Sequence, residues 1–270
     1  MDATATPTHR IIAARCLAAL AFALAASCAS AEDYSQTNVQ FAYAPTDPND
    51  FIMGTGTGYG SRATLRFEHF GTYALGDNYV LFDAYRGNDL GQGTSNRQNY
   101  FLWNSHLSLS KVTGTSLSYG PIQDVLAMVR VEDGSYSHYR AVSAGLSVYW
   151  DLPFTKGSML ETSVLARKKW YAVGTEDVQG TRALIRLFFL VPFRVAGMNA
   201  TFSGPVYFSP LIGGGWDIYL EPEVFVNFGP KDAFAVGLRL EHHTVTGNNV
   251  LNTGGDKSRT TPNLVFRWTW

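Results

Sequence analysis

The sequence predicts an all-β protein: a transmembrane, antiparallel, up-and-down β-barrel of about twelve strands. Three observations carry that expectation. Segments that alternate apolar and polar residues recur along the chain, and few stretches have helical spacing. Their polar faces carry charges of both signs near mid-strand, where a charge needs water or an opposite partner. The last ten residues, Thr261 to Trp270, set Leu264, Phe266, Trp268 and Trp270 on one face and Val265, Arg267 and Thr269 on the other. Successive strand side chains point to opposite sides, so this strand has an apolar wall and a more polar one. Lipid outside and a wet lumen inside accommodate both. A closing aromatic strand of this kind resembles the C-terminal signal of bacterial outer-membrane proteins.

The start of the chain reads as a secretory signal. His9, Arg10 and Arg15 give a positive start, Cys16 to Ala26 a short apolar run, and Ala29-Ser30-Ala31 a small-residue cleavage pattern. That run is shorter than the roughly 20 residues needed to span a bilayer. The expected organisation is a signal peptide over residues 1–31 and an outer-membrane barrel over 32–270. Cys16 and Cys28 both fall in the signal, which leaves the barrel no disulfide, thiolate metal site or catalytic cysteine. Lipoprotein processing at Cys28 is the competing reading; Ala25 stands where such signals carry a Leu-like residue. No later stretch reaches the roughly 18 apolar residues of a membrane helix, Leu187 to Val191 being the nearest approach.

Composition narrows the function classes. Lys plus Arg number 21 and Asp plus Glu 22, a balance without the concentrated basic face of a nucleic-acid-binding domain. Aromatics at 14% and 26 glycines suit interfacial girdles and tight turns.

Taken along the chain, the strands have these faces, apolar first. Ala63, Leu65 and Phe67 oppose Arg66 and Glu68. Val80, Phe82 and Ala84 oppose Leu81, Asp83 and Tyr85. Phe101, Trp103, Leu107 and Leu109 oppose Asn104, His106 and Ser108. Val142, Ala144, Leu146, Val148 and Trp150 oppose Ser143, Gly145, Ser147 and Tyr149. Leu160, Val164 and Ala166 oppose Glu161, Ser163 and Arg167. Ala183, Ile185, Leu187, Phe189 and Val191 oppose Arg182 and Arg186. Ile218, Leu220, Val224 and Val226 oppose Tyr219, Glu221 and Glu223. Phe234, Val236, Leu238 and Leu240 oppose Arg239 and Glu241. Weaker strands are expected at Thr37 to Ala44, Leu117 to Val131 and Met198 to Tyr207. Long polar connections (Pro45 to Gly60, Gly87 to Gln98, Thr244 to Thr260) alternate with short ones (Lys111 to Thr115, Asp151 to Gly157, Gly229 to Asp232), which predicts long loops outside and short turns beside both termini. Eight strands enclose little more than side chains, and 16 to 18 a wide pore, so about twelve predict a narrow, solute-sized channel.

The segment Leu107 to Asp124, with Leu117-Ser118-Tyr119-Gly120-Pro121 at its centre, resembles the nucleoside-specific outer-membrane channel (Tsx) family. Tyr79 to Gly87 and Arg66 to Phe70 are similar to that family in type and spacing. The resemblance implies a monomeric barrel in the outer membrane of a Gram-negative bacterium. It also implies a lumen that binds nucleosides weakly as they diffuse through, without cofactor or metal.

On the polar faces, Tyr85, Tyr149, Tyr171 and Tyr219 are candidate stacking surfaces for a base; the competing reading is a girdle of interfacial tyrosines. Asp83, Glu68, Glu161, Glu221 and Glu223 are candidate partners of ribose hydroxyls, and Arg66, Arg167, Arg182, Arg186 and Arg239 of base edges. The alternative for all these charges is a salt-bridge ladder across the lumen. His106 and Ser108 share a face, as the His-x-Ser element of outer-membrane lipid hydrolases does; a serine nucleophile needs such a base within reach. A plugged structural or receptor barrel is the third class. His242 and His243 point to opposite faces and cannot grip one ion. Gly54-Thr55-Gly56-Thr57-Gly58 lacks the Lys and helix of a phosphate loop, and Asp47 with Asp50 alone make a weak cation signal.

Overall fold

The computed structural model describes residues 34–47, 60–90, 95–152, 157–173, 176–247 and 256–270. The expected signal peptide, Asp50 and the Gly54 to Gly58 run lie outside the described residues. Thirteen strands make one sheet: β1 (Tyr34–Ala44), β2 (Arg62–Tyr73), β3 (Gly76–Asp89), β4 (Ser95–Ser108), β5 (Ile122–Gly134), β6 (Arg140–Trp150), β7 (Met159–Val173), β8 (Glu176–Val195), β9 (Met198–Pro210), β10 (Trp216–Leu220), β11 (Glu223–Phe228), β12 (Phe234–Val245) and β13 (Lys257–Thr269). One short helix, α1 (Leu109–Thr113), follows β4.

Each strand pairs antiparallel with its neighbours, and β13 returns to β1, so the sheet closes on itself. β10 and β11 form a single stave. On β9 the partners Leu220↔Val206 and Glu223↔Ser203 keep one register, and on β12 so do Leu220↔His242 and Glu223↔Arg239. The break falls at Glu221 and Pro222, opposite Pro205 and Gly204 on β9. A proline has no N–H to give the ladder, so strand bonding lapses there while the chain runs on. The Glu221 N–H still reaches the Pro205 carbonyl at 3.0 Å, and the Leu240 N–H the Pro222 carbonyl at 2.9 Å. Twelve staves result, matching the strand number read from the sequence.

The two faces separate as their side chains dictate. Leu65, Phe82, Val164, Leu238 and Leu264 stand on the outside, with Val164 64% and Leu238 59% exposed. Arg62, Asp83, Glu161 and Arg239 face inward and are buried. An exposed apolar belt round a charged interior inverts the arrangement of a water-soluble fold.

Three expectations need correction. β5 begins at Ile122, not Leu117, and Leu109, expected on the outer face of β4, starts α1; the expected short connection Lys111 to Thr115 is lengthened on both sides, to a helix capped by Gly114 in the left-handed region at φ 69° and a loop reaching residue 121. The predicted loop Gly87 to Gln98 is largely strand, since β3 runs to Asp89 and β4 starts at Ser95. Beyond the apolar belt both faces are polar, so alternation disappears while backbone pairing persists. Loop length therefore segregates only partly. The end opposite the termini carries the long connections 45–61 and 246–256, but also the short 135–139. The termini's end carries the tight Ala196-Gly197 turn, but also 109–121.

Gly204 occupies φ +151°, and a Cβ there would lie 2.2 Å from the Glu221 carbonyl oxygen. Gly204→Ala is expected to destabilise the barrel by about 1–3 kcal/mol, read as a lower fraction of the heat-modifiable folded band on a denaturing gel.

Candidate functional site

The closed sheet surrounds a cavity of about 380 Å³. Its wall carries an ion network built from inward-facing side chains of adjacent staves, with a few bonds reaching across non-adjacent ones. Arg66 on β2 donates to both oxygens of Asp83 on β3 at 2.7 and 2.9 Å and reaches across to Glu221 at 2.6 Å. Arg239 donates to Glu223 and Gln40. The Tyr219 and Tyr85 hydroxyls donate to Glu221 and Asp83 at 2.5 and 2.8 Å, and Gln40 and Tyr79 to Glu68 at 2.7 and 2.6 Å.

Opposite this group, Arg167 on β7 grips Glu132 on β5 at 2.8 and 2.9 Å, joined by Arg130 and the Tyr100 hydroxyl. His106 on β4 lies 2.7 Å from Asp77 and 3.2 Å from Glu161; Arg186 donates to Glu161 and Tyr149 to Asp77. Lys169 donates to Asp217 at 2.5 Å, with His243 on its other oxygen at 2.9 Å. Nearer the mouth opposite the termini, Arg62 binds Glu241 at 2.6 and 2.7 Å, and Asp47 accepts from Arg259 and Thr261. Asp47 stands outside the strands; burial pushes its carboxyl above the ordinary range, with Arg62 pulling the other way. Bonds between staves at this density describe the ladder that the sequence offered as the alternative to a binding role, and the same residues supply both.

Three of the predicted lumen residues do not line the cavity. Arg182 is exposed and donates to the Thr181 carbonyl, because β8 is 20 residues long and its first turn of side chains passes beyond the lumen. Tyr171 packs with Val178 and Leu211 in an apolar cluster at the mouth opposite the termini. Arg239 is buried behind its partners Glu223 and Gln40. The remaining candidates do line it. Tyr85 shares the Tyr171 cluster, and the Arg62 guanidinium covers its ring at 5.1 Å, so it offers little free face. Tyr219 stacks on Tyr207 with centroids 6.0 Å apart and planes 18° from parallel, with His243 edge-on to it at 5.7 Å and the Arg130 guanidinium over the Tyr207 ring at 4.8 Å.

Sequence reading missed Arg130, Glu132, Lys169, Asp217 and Tyr207, which all line the cavity. On β5 the inward face runs Leu126, Met128, Arg130, Glu132, half apolar and half charged, so its alternation is weak. Lys169 follows Lys168, and a pair of lysines declares neither face. Parity within the strong β7 pattern does assign Lys169 inward with Arg167.

Ser108 does not meet His106 as a nucleophile would. Its hydroxyl donates to Asp124 at 2.6 Å and accepts from the Lys111 N–H at 3.1 Å as the N-cap of α1. Among the described residues no group of three His, Cys, Asp or Glu side chains is arranged to hold a metal.

No protein-family description matches this chain, and no curated protein does. Two solved structures are similar in outline. A "KdgM porin in complex with disordered oligogalacturonate" shares 8% identity at TM-score 0.43, covering 88% of this chain and 99% of that one. A "Bacterial polysaccharide outer membrane secretin" shares 8% at TM-score 0.34, covering 89% and 99%. Likeness this slight gives the chain no activity.

Ser108→Ala is expected to lower stability by about 0.5–2 kcal/mol through the lost cap, without changing lipid hydrolysis measured on mixed micelles. Loss of a measurable ester hydrolysis would restore the nucleophile reading.

Proposed function

We propose that the protein is an outer-membrane channel of a Gram-negative bacterium through which small polar solutes diffuse passively, nucleosides first among them. The observation that carries this reading is the inversion of the barrel: an apolar belt facing out and a charged, hydrogen-bonding cavity facing in. Lipid is the environment that stabilises such an exterior, and a closed barrel is one of the two structures that can cross it with every backbone group paired. A lumen lined by paired charges and tyrosine hydroxyls can replace part of a solute's hydration shell while holding it weakly enough for release.

Nucleosides are favoured by the Tsx-like segments and by the Tyr207–Tyr219 stack beside Glu221. Stacking on an aromatic ring contributes about 1–3 kcal/mol per base, and carboxylates and amides accept from ribose hydroxyls. The barrel acts as a monomer in this reading, since one chain encloses a complete lumen.

Flux through proteoliposomes is the direct test, comparing nucleosides with sugars of similar size. Tyr219→Ala is expected to slow nucleosides about fivefold more than sugars, the lower end of a stacking contribution; equal slowing would remove the stacking claim. Arg66→Ala is expected to raise single-channel conductance by opening the network between Asp83 and Glu221. Leu238→Arg, on the outer face, is expected to cost about 2–4 kcal/mol of folding stability if it sits at the bilayer midplane, measured by denaturant titration in lipid vesicles. No cost there would argue against a lipid-facing exterior.

A further inference from the structure

The charges lining the cavity are not mixed evenly. The ring of staves divides into two contiguous halves, β4 to β9 and β10 through β13 to β3. On the first half the lining carries Arg130, Arg167, Lys169 and Arg186 against two carboxylates, Glu132 and Glu161. On the second half six carboxylates line the cavity, those of Glu68, Asp77, Asp83, Asp217, Glu221 and Glu223. In the lining of that half only Arg66 and Arg267 answer them, with Arg239, buried outside the lining, donating to Glu223. His106 belongs to the first wall and His243 to the second, one each. At formal charge, one wall is net positive and the other net negative, and the lining as a whole carries an excess of carboxylates.

Ion pairing does not erase this partition. On the positive wall Arg130 and Arg167 share the single carboxylate of Glu132. On the negative wall Arg66 lies within 4 Å of four carboxylates, those of Asp83, Glu221, Glu223 and Glu68. Arg267 has an amide as its hydrogen-bond partner, Asn227 at 3.1 Å, with its guanidinium over the Phe225 ring. Lys169 and Asp217 pair across the division at 2.5 Å, which lessens the contrast without cancelling it; each wall keeps a surplus of its own sign, and low-dielectric walls concentrate the resulting field across the lumen.

We propose that this crosswise field makes the lumen a site for small zwitterions, amino acids being the simplest class. The carboxylate of such a solute turns toward Arg130, Arg167 and Arg186, and its ammonium toward Glu68, Glu221 and Glu223. A zwitterion carries no net charge to be repelled by the carboxylate excess, yet both of its ends gain from the field. A small anion gains at one wall and is opposed by the overall excess. An uncharged solute of equal size gains at neither. The inference rests on the channel reading above but not on its nucleoside preference, which depends on stacking and not on this field; it adds a second class of solute.

The test uses alanine and lactamide, isomers of one formula, the first zwitterionic and the second uncharged, with the whole processed chain in proteoliposomes. Reversal potential across a potassium chloride gradient is read in planar bilayers from the same preparation. Alanine is expected to pass about threefold faster than lactamide, with potassium preferred over chloride. Glu68→Gln, at a half-buried edge of the negative wall, is expected to reduce both preferences while the heat-modifiable band stays intact. Equal flux of the two isomers, or faster lactamide, overturns the proposal, and so does chloride preference. Absence of flux and of conductance altogether would instead remove the channel reading on which it rests.

Discussion

Closure between β1 and β13 is the constraint on which the rest of the molecule depends. A strand edge left open presents a row of unpaired N–H and C=O groups, which water can satisfy and hydrocarbon cannot. Here Asn38↔Thr269 through Tyr43↔Leu264 pair across the seam, and Thr37 and Trp270 exchange both backbone bonds at 3.1 and 2.9 Å. The closing strand is also bound along its other edge to β12, from Phe234↔Trp268 to Val245↔Lys257. Once the ring is shut, side-chain alternation has only two destinations, outside or lumen. A shift of one residue at any strand pair would exchange them, placing Arg66 and Glu68 against the apolar belt and Leu65 among the carboxylates. The hydrophobic pattern and the seam therefore fix one another.

The interior then has to solve a charge problem. Removing one partner of a buried ion pair typically costs roughly 3–5 kcal/mol, because the survivor is left without compensation. The lumen spreads that risk by sharing partners: Glu161 is met by Arg186 and His106, Asp217 by Lys169 and His243, and Glu132 by two guanidiniums and two tyrosine hydroxyls. Such sharing would suit the proposed channel, whose wall has to meet a passing solute. No single bond has to break completely for a carboxylate to accept a new donor.

Much of this was legible in the sequence. Leu264, Phe266 and Trp268 declare an outer face, and the strong alternations in β2, β7 and β12 assign Arg66, Arg167 and Arg239 inward without any structure. What was hidden is of two kinds. Alternation carries information only where the two environments differ, so the ends of β3, β4 and β8 beyond the apolar belt read as loop or, at Arg182, as lumen. Partnership between distant staves depends on barrel geometry, which single strands do not encode. Asp83 and Glu221 read as lumen carboxylates that either meet a solute or join a salt-bridge ladder, and only the closed ring shows Arg66 spanning the two. Likewise Tyr171 has the parity of a lumen residue, and only the loop carrying Leu211 reveals that it belongs to an apolar cluster at the mouth.

The interrupted stave, β10 with β11, shows how the wall and its lining support each other. At Pro222, opposite Gly204 and beside Pro205, the ladder loses two N–H donors that the rest of the sheet possesses. Glu221 and Glu223 flank that proline and both point inward, where Arg66 lies 2.6 and 3.7 Å from them. Arg239, on the adjacent β12, donates to Glu223 and lies 3.5 Å from Glu221. The broken stave is thus tied to its neighbour by Arg239 and, through Arg66, to β2 and to Asp83 on β3. Backbone bonding is replaced locally by charged side chains on the lumen side, the only side where an ion can be hydrated or paired. In the proposed channel, a solute that competes for Glu221 would act where the ladder is interrupted at Pro222.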